Sequence, residues 1–525
     1  MRSFYSHLEA VQSIGEEISS ITKPTYRSSA IFPVRHNDQF SSKIIFMGYW
    51  LLKRNIKEIG ILYTLRNETG QILSRKNSVI DSHKSYSISL DEFADKIGDT
   101  FIGSLELEIF STRDLVFPYP AFVLVYYSDK FSTAVHTVGR IYNDIEDLTG
   151  NEEYVVRESG FDIYGDPQLE SFLALTNGPQ ENEKPTFSYE LNTKSGKTHT
   201  GTFTLNSIAP YQTVFVNLTE KMNLSERLKN EAGSVKLGHN MHGFFPRFVV
   251  GNIQKNIGQI SITHTYYDCS PLNDSKSFWN RIDDKFNDSA VAIPLYITNG
   301  YFTQVAIYPI FSPSDFEINC DFYGDGGVFL GSLKSAVEVN HAANKYDVLD
   351  FETLCLAVGI DLQKAKVANL NCNWNDKTKI PTRVKFGLNV GMKNAAMKVP
   401  SNICFAPSLG NPKILKKKGT FRWAPFINIG TSEICITNSS TLKAYDRPAE
   451  IDLAFFREKD EAILKRTVTI PANGMIQLNA SSDSELKDFF GGHSGWVTMQ
   501  TSNPFIYGYY FDFFESGAVA ADHIF

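Results

Sequence analysis

Apolar side chains fall in short runs along this chain, as in SKIIFMGYWLL (42–52), IGILYTLRN (59–67) and QILSRKNSVI (71–80), and Gly, Asn, Asp and Pro separate the runs. Short runs rich in β-branched and aromatic residues predict strands in an all-β domain. Four passages then follow one template: an apolar strand, a short capped helix, a strand opening near glycine, an aromatic strand, and a closing strand with His or Asn near its end. They begin SYSISLDEFADK (85–96), TVFVNLTEKMNL (213–224), YDVLDFETLCLA (346–357) and MIQLNASSDSEL (475–486). Aligned on the leucine before each helix (Leu90, Leu218, Leu349 and Leu478), the copies are spaced by 128, 131 and 129 residues. A period that regular means one unit repeated four times.

Hairpin turns fall at matching places, at Glu68-Thr69-Gly70, Thr193 to Gly196, Gly324 to Gly327 and Arg457 to Asp460. Each helix is expected to start at a polar residue such as Asp91, Thr219 or Ser484 and to close at glycine, as at Gly233 and Gly491-Gly492. A helix that short covers one end of a core and cannot build a parallel βαβ fold. The expectation is an all-β chain of four tandem β-sandwiches, immunoglobulin-like or a related Greek key, each with one short crossover helix. The boundaries read as 29–145, 155–270, 286–408 and 419–525. Before them, Phe4, Leu8, Val11, Ile14, Ile18 and Ile21 form a helical stripe that Lys23-Pro24 ends, predicting an N-terminal amphipathic helix over 1–24.

Composition narrows the partners. With 51 Lys and Arg against 58 Asp and Glu, the net charge of −7 offers no general attraction for nucleic acid. No 18-residue apolar run and no signal-peptide core occur, so the expectation is a cytoplasmic protein without an integral membrane segment, unless signal-independent export carries it out. The six cysteines, all from Cys269 onward, form no CxxC pair and do not recur with the repeat, so neither a disulfide framework nor structural zinc is expected from them. Acidic clusters join the copies at 142–154 and at 268–289, the latter with Asp274, Asp283, Asp284 and Asp288, and are candidate calcium sites without a fixed ligand spacing. The third junction carries Lys413, Lys416, Lys417 and Lys418 instead.

Two histidine constellations are candidates for a divalent transition metal. His136, His264 and His523 lie 46, 46 and 45 residues after their marker leucines, on the closing strands, and the third copy offers Asn402. His239 and His242, in GHNMHGFF (238–245), form a close pair to which His264 is a third nitrogen donor, the set a metal-dependent enzyme would use. Hydrolase and phosphate signatures fail. Gly491-Gly492-His493-Ser494-Gly495 has Trp496 where a nucleophile elbow needs its last glycine, and Tyr323 to Gly327 lacks the Lys-Ser/Thr of a P-loop.

Aromatic residues gather on the last strands, in FPYPAFVLVYY (117–127), GFFPRF (243–248) and NPFIYGYYFDFF (503–514). Consecutive rings must occupy both faces of a strand, so a neighbouring domain, subunit or ligand has to cover the second face. Tyr126, Tyr127, Tyr509, Tyr510 and Phe511 are therefore the expected ligand surface, for protein contact or self-association first and for glycan second. The sequence reads best as a non-enzymatic multi-domain binding or structural protein, with a metal-dependent enzyme as the alternative.

Overall fold

A computed structural model describes residues 26–113, 122–136, 158–244, 247–267, 277–281, 283–309, 312–343, 345–428 and 431–525. The expected helix over 1–24 and the acidic junction at 142–154 lie outside them.

Among the described residues the paired strands are antiparallel, and the main sheets come in successive pairs along the chain. In the first pair, one sheet runs Tyr26–His36, Phe101–Ser111, Ile59–Asn67 and Ile72–Val79. The other runs Ser85–Ser89, Ser41–Met47, Val123–Tyr127 and Ser132–His136. Two hairpins stay within a sheet, Ile59–Asn67 with Ile72–Val79 and Val123–Tyr127 with Ser132–His136, while the other connections cross between the sheets, and three further pairs repeat the order with small additions. The chain is thus all-β, with apolar residues of the two inner faces meeting in each core.

Local chemistry sets the short helices. Ser89 caps Leu90–Phe93 with a full capping box through Glu92, and Asn217, Asp350 and Asp483 accept from backbone N–H groups of Glu220, Thr353 and Leu486. The caps thus stand one or two residues before the positions the sequence suggested. Gly491 ends the last helix at φ 57°, the left-handed cap that glycine favours.

The sandwiches form a ring. The second sheet of each copy turns its outer face onto the copy before it. Phe172, Ala174, Val249, Ile260 and Ile262 of the second copy join the apolar cluster of the first. Gln254, Gln259 and Ser261 meet the third copy, donating to the carbonyls of Ala396, Val399 and Pro400 at 3.0, 2.9 and 2.8 Å. Cys435, Tyr509, Phe511, Val519 and Ala521 of the fourth copy lie in the cluster of the third. The first copy completes the circuit against the fourth: the Ser132 hydroxyl donates to Asp512 Oδ2 at 2.7 Å, and the Tyr49 ring lies 4.8 Å from Trp423. A head-to-tail contact used repeatedly closes into a ring when its rotation divides the circle. The closing strands Ser132–His136, Gln259–His264, Ser401–Phe405 and Val519–His523 pack in that order around the axis, the last against the first.

This packing corrects the expected ligand surface. Tyr126 is fully buried, its hydroxyl donating to the Pro33 carbonyl at 2.9 Å. Tyr510 points into the fourth core, while Tyr509 and Phe511, on the opposite face, are buried against the third copy, where Tyr509 donates to the Ala292 carbonyl at 3.3 Å. Tyr127 is half-buried, with its hydroxyl on Asp91 at 2.9 Å. Period 2 forced rings onto both strand faces, and the neighbouring sandwich of the same chain covers the second face.

Candidate metal centre

Register shows which residues share the axial position. His136 pairs through Val123 with Ile45, His264 through Val249 with Ala174, and His523 through Tyr509 with Cys435. In the third copy the same path runs from Ala306 through Gly387 to Cys404. The four inner residues pair with Ser87, Phe215, Val348 and Gln477, each three residues before Leu90, Leu218, Phe351 and Ala480. Hence Cys404, and not Asn402, stands in register with the histidines. Leu349 and Phe351 lie two apart and are both buried, so alternation alone could not choose between them. Asn402 turns to the junction with the second copy, where its amide donates to Asp162 at 3.2 Å and to the Tyr308 hydroxyl at 3.0 Å.

The three phased imidazoles meet. The His136 ring centre is 4.7 Å from that of His264 and 4.6 Å from that of His523, and Phe525 packs on the same ring at 5.3 Å. His136 Nδ1 lies 2.7 Å from Asp522 Oδ2, and its Nε2 lies 3.4 Å from His264 Nε2. Among the described residues, the metal-type cluster is His136, Asp522 and His523, whose ligand atoms lie within 4.8 Å of one another. The residue beside His523 in sequence thus supplies the carboxylate.

Protons can be assigned from the partners. His264 Nδ1 is 2.9 Å from the Thr265 carbonyl, and His523 Nδ1 is 2.9 Å from the Ile524 carbonyl. A carbonyl only accepts, so both Nδ1 atoms carry the proton and both Nε2 atoms keep a lone pair. His136 must then donate from Nε2 toward His264, leaving Nδ1 toward Asp522 for either a proton or a metal ion. Burial, with Arg247 and His136 adding to it, holds His264 well below the usual imidazole range, and burial brings His523 down to about 4. Burial works to raise Asp522, but the charges and hydrogen bonds of His136 and His523 overcome it and draw the carboxyl below its usual range. The result is an ionised carboxylate against His136, with His264 and His523 held neutral by burial beside it, a nitrogen and oxygen donor set that suits a divalent cation.

The other candidates are placed elsewhere. His239 ends the strand Ala232–His239 in the other sheet of the second copy, packed on Phe187 and Phe248 at 5.9 and 5.1 Å, and burial lowers it to about 4. His242 is exposed in the following turn. His239, His242 and His264 are not brought together, because His264 faces the axis from the second sheet. At the acidic junction, Asp274 lies outside the described residues. Asp288 is buried against Lys377 at 2.8 Å and the Trp374 N–H at 2.8 Å, and Asp283 accepts from the Lys285 N–H at 2.9 Å. Asp284 is nearly fully exposed beside Arg281. Among the described residues, these contacts use the acids one by one. The described cysteines Cys320, Cys355, Cys372, Cys404 and Cys435 are buried and in no disulfide with one another.

No helix among the described residues is long and apolar enough to cross a membrane. No known family matches the sequence, and no curated protein matches it. Among solved structures, the chain is similar to a tetra-tandem repeat from the extending region of a large adhesion protein, at 8% identity over 95% of this chain and 98% of that one, with a TM-score of 0.10. Chicken CNTN1 FN1–FN3 domains match at 10% identity over 72% and 93%, with a TM-score of 0.10. Bacteroides uniformis β-glucuronidase 2 matches at 10% identity over 52% of this chain and 28% of that one, with a TM-score of 0.11. TM-scores this low carry nothing over to this chain beyond its own all-β architecture.

Proposed function

We propose that this chain is a non-enzymatic structural or binding protein whose sandwich ring is fastened at its axis by one divalent transition-metal ion. The ligands are His136 Nδ1, Asp522 and His523 Nε2. His264 accepts from His136 Nε2–H and is a positioning residue. The observation that supports this reading is the meeting of His136 with Asp522 at 2.7 Å and with His264 at 3.4 Å, which brings side chains of three copies into one cluster. Two imidazoles and a carboxylate suit zinc, iron or manganese, and a ligating imidazole whose other N–H is held by a fixed acceptor is the usual outer-shell arrangement. His523 has the Ile524 carbonyl in that role and His136 has His264.

A structural role follows from position: His136 comes from the first copy, Asp522 and His523 from the fourth, so the ion would tie the ring where chain connectivity does not. Protein contact, the partner class the sequence suggested, then belongs to the outer strands rather than to the closing aromatics. Ile72 and Val79 on one outer strand, Phe329 on another and Ile463 on a third are exposed apolar residues there.

Titration of metal-free protein with zinc against a chromophoric chelator tests the reading. One site per chain is expected, weakened at least about tenfold by Asp522→Asn and more moderately by His264→Gln. Equal zinc affinity in the parent and both variants would remove the axial site.

A further inference from the structure

A cleft of about 260 Å³ opens between the first and fourth copies, on the outer side of the contact that closes the ring. Lys43, Tyr127 and Ser128 line it from the first copy, and Glu458, His493 and Ser494 from the fourth. Gly492, His493 and Ser494, the middle of the turn that the failed nucleophile pattern left without a role, line it as well. Gly492, at φ 85°, leaves open space where a side chain would stand.

The polar groups of the cleft are matched in an unusual way. Lys43 lies over the Tyr127 ring, 5.0 Å from its centre, and among the described residues no carboxylate is at ion-pair distance from its ammonium. Burial lowers Lys43 from its usual range, and the acids that oppose this from further away are Asp512, Glu458 and Asp91. Each already accepts from a hydroxyl: Asp512 from Ser132 at 2.7 Å, Glu458 from Ser494 at 2.9 Å and Asp91 from Tyr127 at 2.9 Å. Glu458 lines the cleft and uses Oε2 for Ser494, which leaves its Oε1 to accept from a ligand. An unspent ammonium donor and an unspent carboxylate acceptor thus face one space, with the Tyr127 and Ile427 side chains as its apolar wall.

We infer that this cleft binds a neutral polyhydroxylated ligand the size of one sugar ring. A hydroxyl group both gives and accepts a hydrogen bond, so neighbouring hydroxyls on one ring can accept from Lys43 and donate to Glu458. A carboxylate ligand would meet Lys43 but also the surrounding acids, whereas a neutral ligand adds no charge to the pocket. The volume lies just below the roughly 300–1,000 Å³ of pockets for drug-sized ligands, which leaves room for a single ring. The site shares no residue with the axial cluster, so it stands or falls separately from the metal reading.

Saturation-transfer NMR on the intact chain tests it, with glucose, galactose, mannose and N-acetylglucosamine as neutral probes and glucuronate as the acidic one. Transfer to at least one neutral sugar is expected. Affinity should fall roughly tenfold or more in both Lys43→Met and Glu458→Gln, the usual cost of losing a hydrogen bond to a charged group. Glu461→Gln, on the same side of the fourth copy but outside the cleft, should bind as the parent does. Near-ultraviolet circular dichroism checks that the variants keep their packing, and His493→Ala at the cleft wall gives a second, milder loss should Lys43→Met not fold. No transfer from any neutral sugar, transfer confined to glucuronate, or transfer unchanged in both Lys43→Met and Glu458→Gln would overturn the inference.

Discussion

Asp162 should make the junction between the second and third copies pH-sensitive, in a direction opposite to that of the buried histidines. Its carboxyl is almost fully buried and accepts from the Tyr346 hydroxyl at 3.1 Å, from the Asn402 amide at 3.2 Å and from Asn389. Burial raises it from 3.8 to about 6, against the lowering effect of Asn389, Tyr346, Tyr308 and the distant Lys194. A displacement of that size corresponds to on the order of 3 kcal/mol. Because the folded value is the higher one, the stabilisation is fully present below about pH 4 and is lost as pH rises through about 6. His523 and His239, each lowered to about 4, act in reverse: stability falls as pH drops from the ordinary imidazole range toward 4. A single pH profile would mix the two. Asp162→Asn separates them, since it removes one titration and leaves the histidines in place.

Urea unfolding followed by tryptophan fluorescence, for parent and variant between about pH 4 and 7, is the assay. Whatever fixed cost the amide brings, the difference between the two proteins should move in favour of the variant by about 3 kcal/mol across that interval. A difference that stays flat, or moves toward the parent as pH rises, would refute the reasoning about Asp162.

Other outcomes follow from the same packing. Asp512 is likewise raised to about 6 by burial, so Asp512→Asn should shift the profile of the junction between the first and fourth copies with the same sign, read by the same unfolding assay. Tyr509→Ala and Phe511→Ala should each cost about 3–5 kcal/mol in chemical unfolding, as truncated buried rings do, which an exposed ligand surface would not. Gly103→Ala should lower the melting temperature by several degrees, because its new Cβ would stand 2.1 Å from the Arg66 carbonyl oxygen of the paired strand; an unchanged melting curve would contradict that register.

The parts of the fold governed by local rules were legible in the sequence. Turn residues at Glu68 to Gly70 and Thr193 to Gly196 join the paired strands they were expected to join, and the closing glycine at Gly491 is a true left-handed cap. Phase also placed His136, His264 and His523 on one kind of strand. What phase could not give was the ring itself: a head-to-tail face is made of residues such as Phe172 and Ala174, which look like ordinary strand residues whichever neighbour they meet. The third copy misled for a definite reason. Residues two apart on a strand share a face, so the sequence alone aligns Leu349 as well as Phe351, and Cys404 rather than Asn402 stands in register with the histidines. Asp522 was visible beside His523, but only the ring brings it to His136, which is 386 residues away in sequence. The aromatic runs carried a true signal of a second covered face, and the sequence had no means of saying that the cover was the chain's own next sandwich.

The most direct test of the central claim is the metal content of the intact chain purified without an affinity tag, measured by elemental analysis beside His136→Ala and His523→Ala. One divalent transition ion per chain in the parent, and little or none in either variant, is the predicted result. A parent chain free of such metal after purification with zinc, iron and manganese supplied, or variants that retain it in full, would contradict the claim that the closing strands converge to hold an ion.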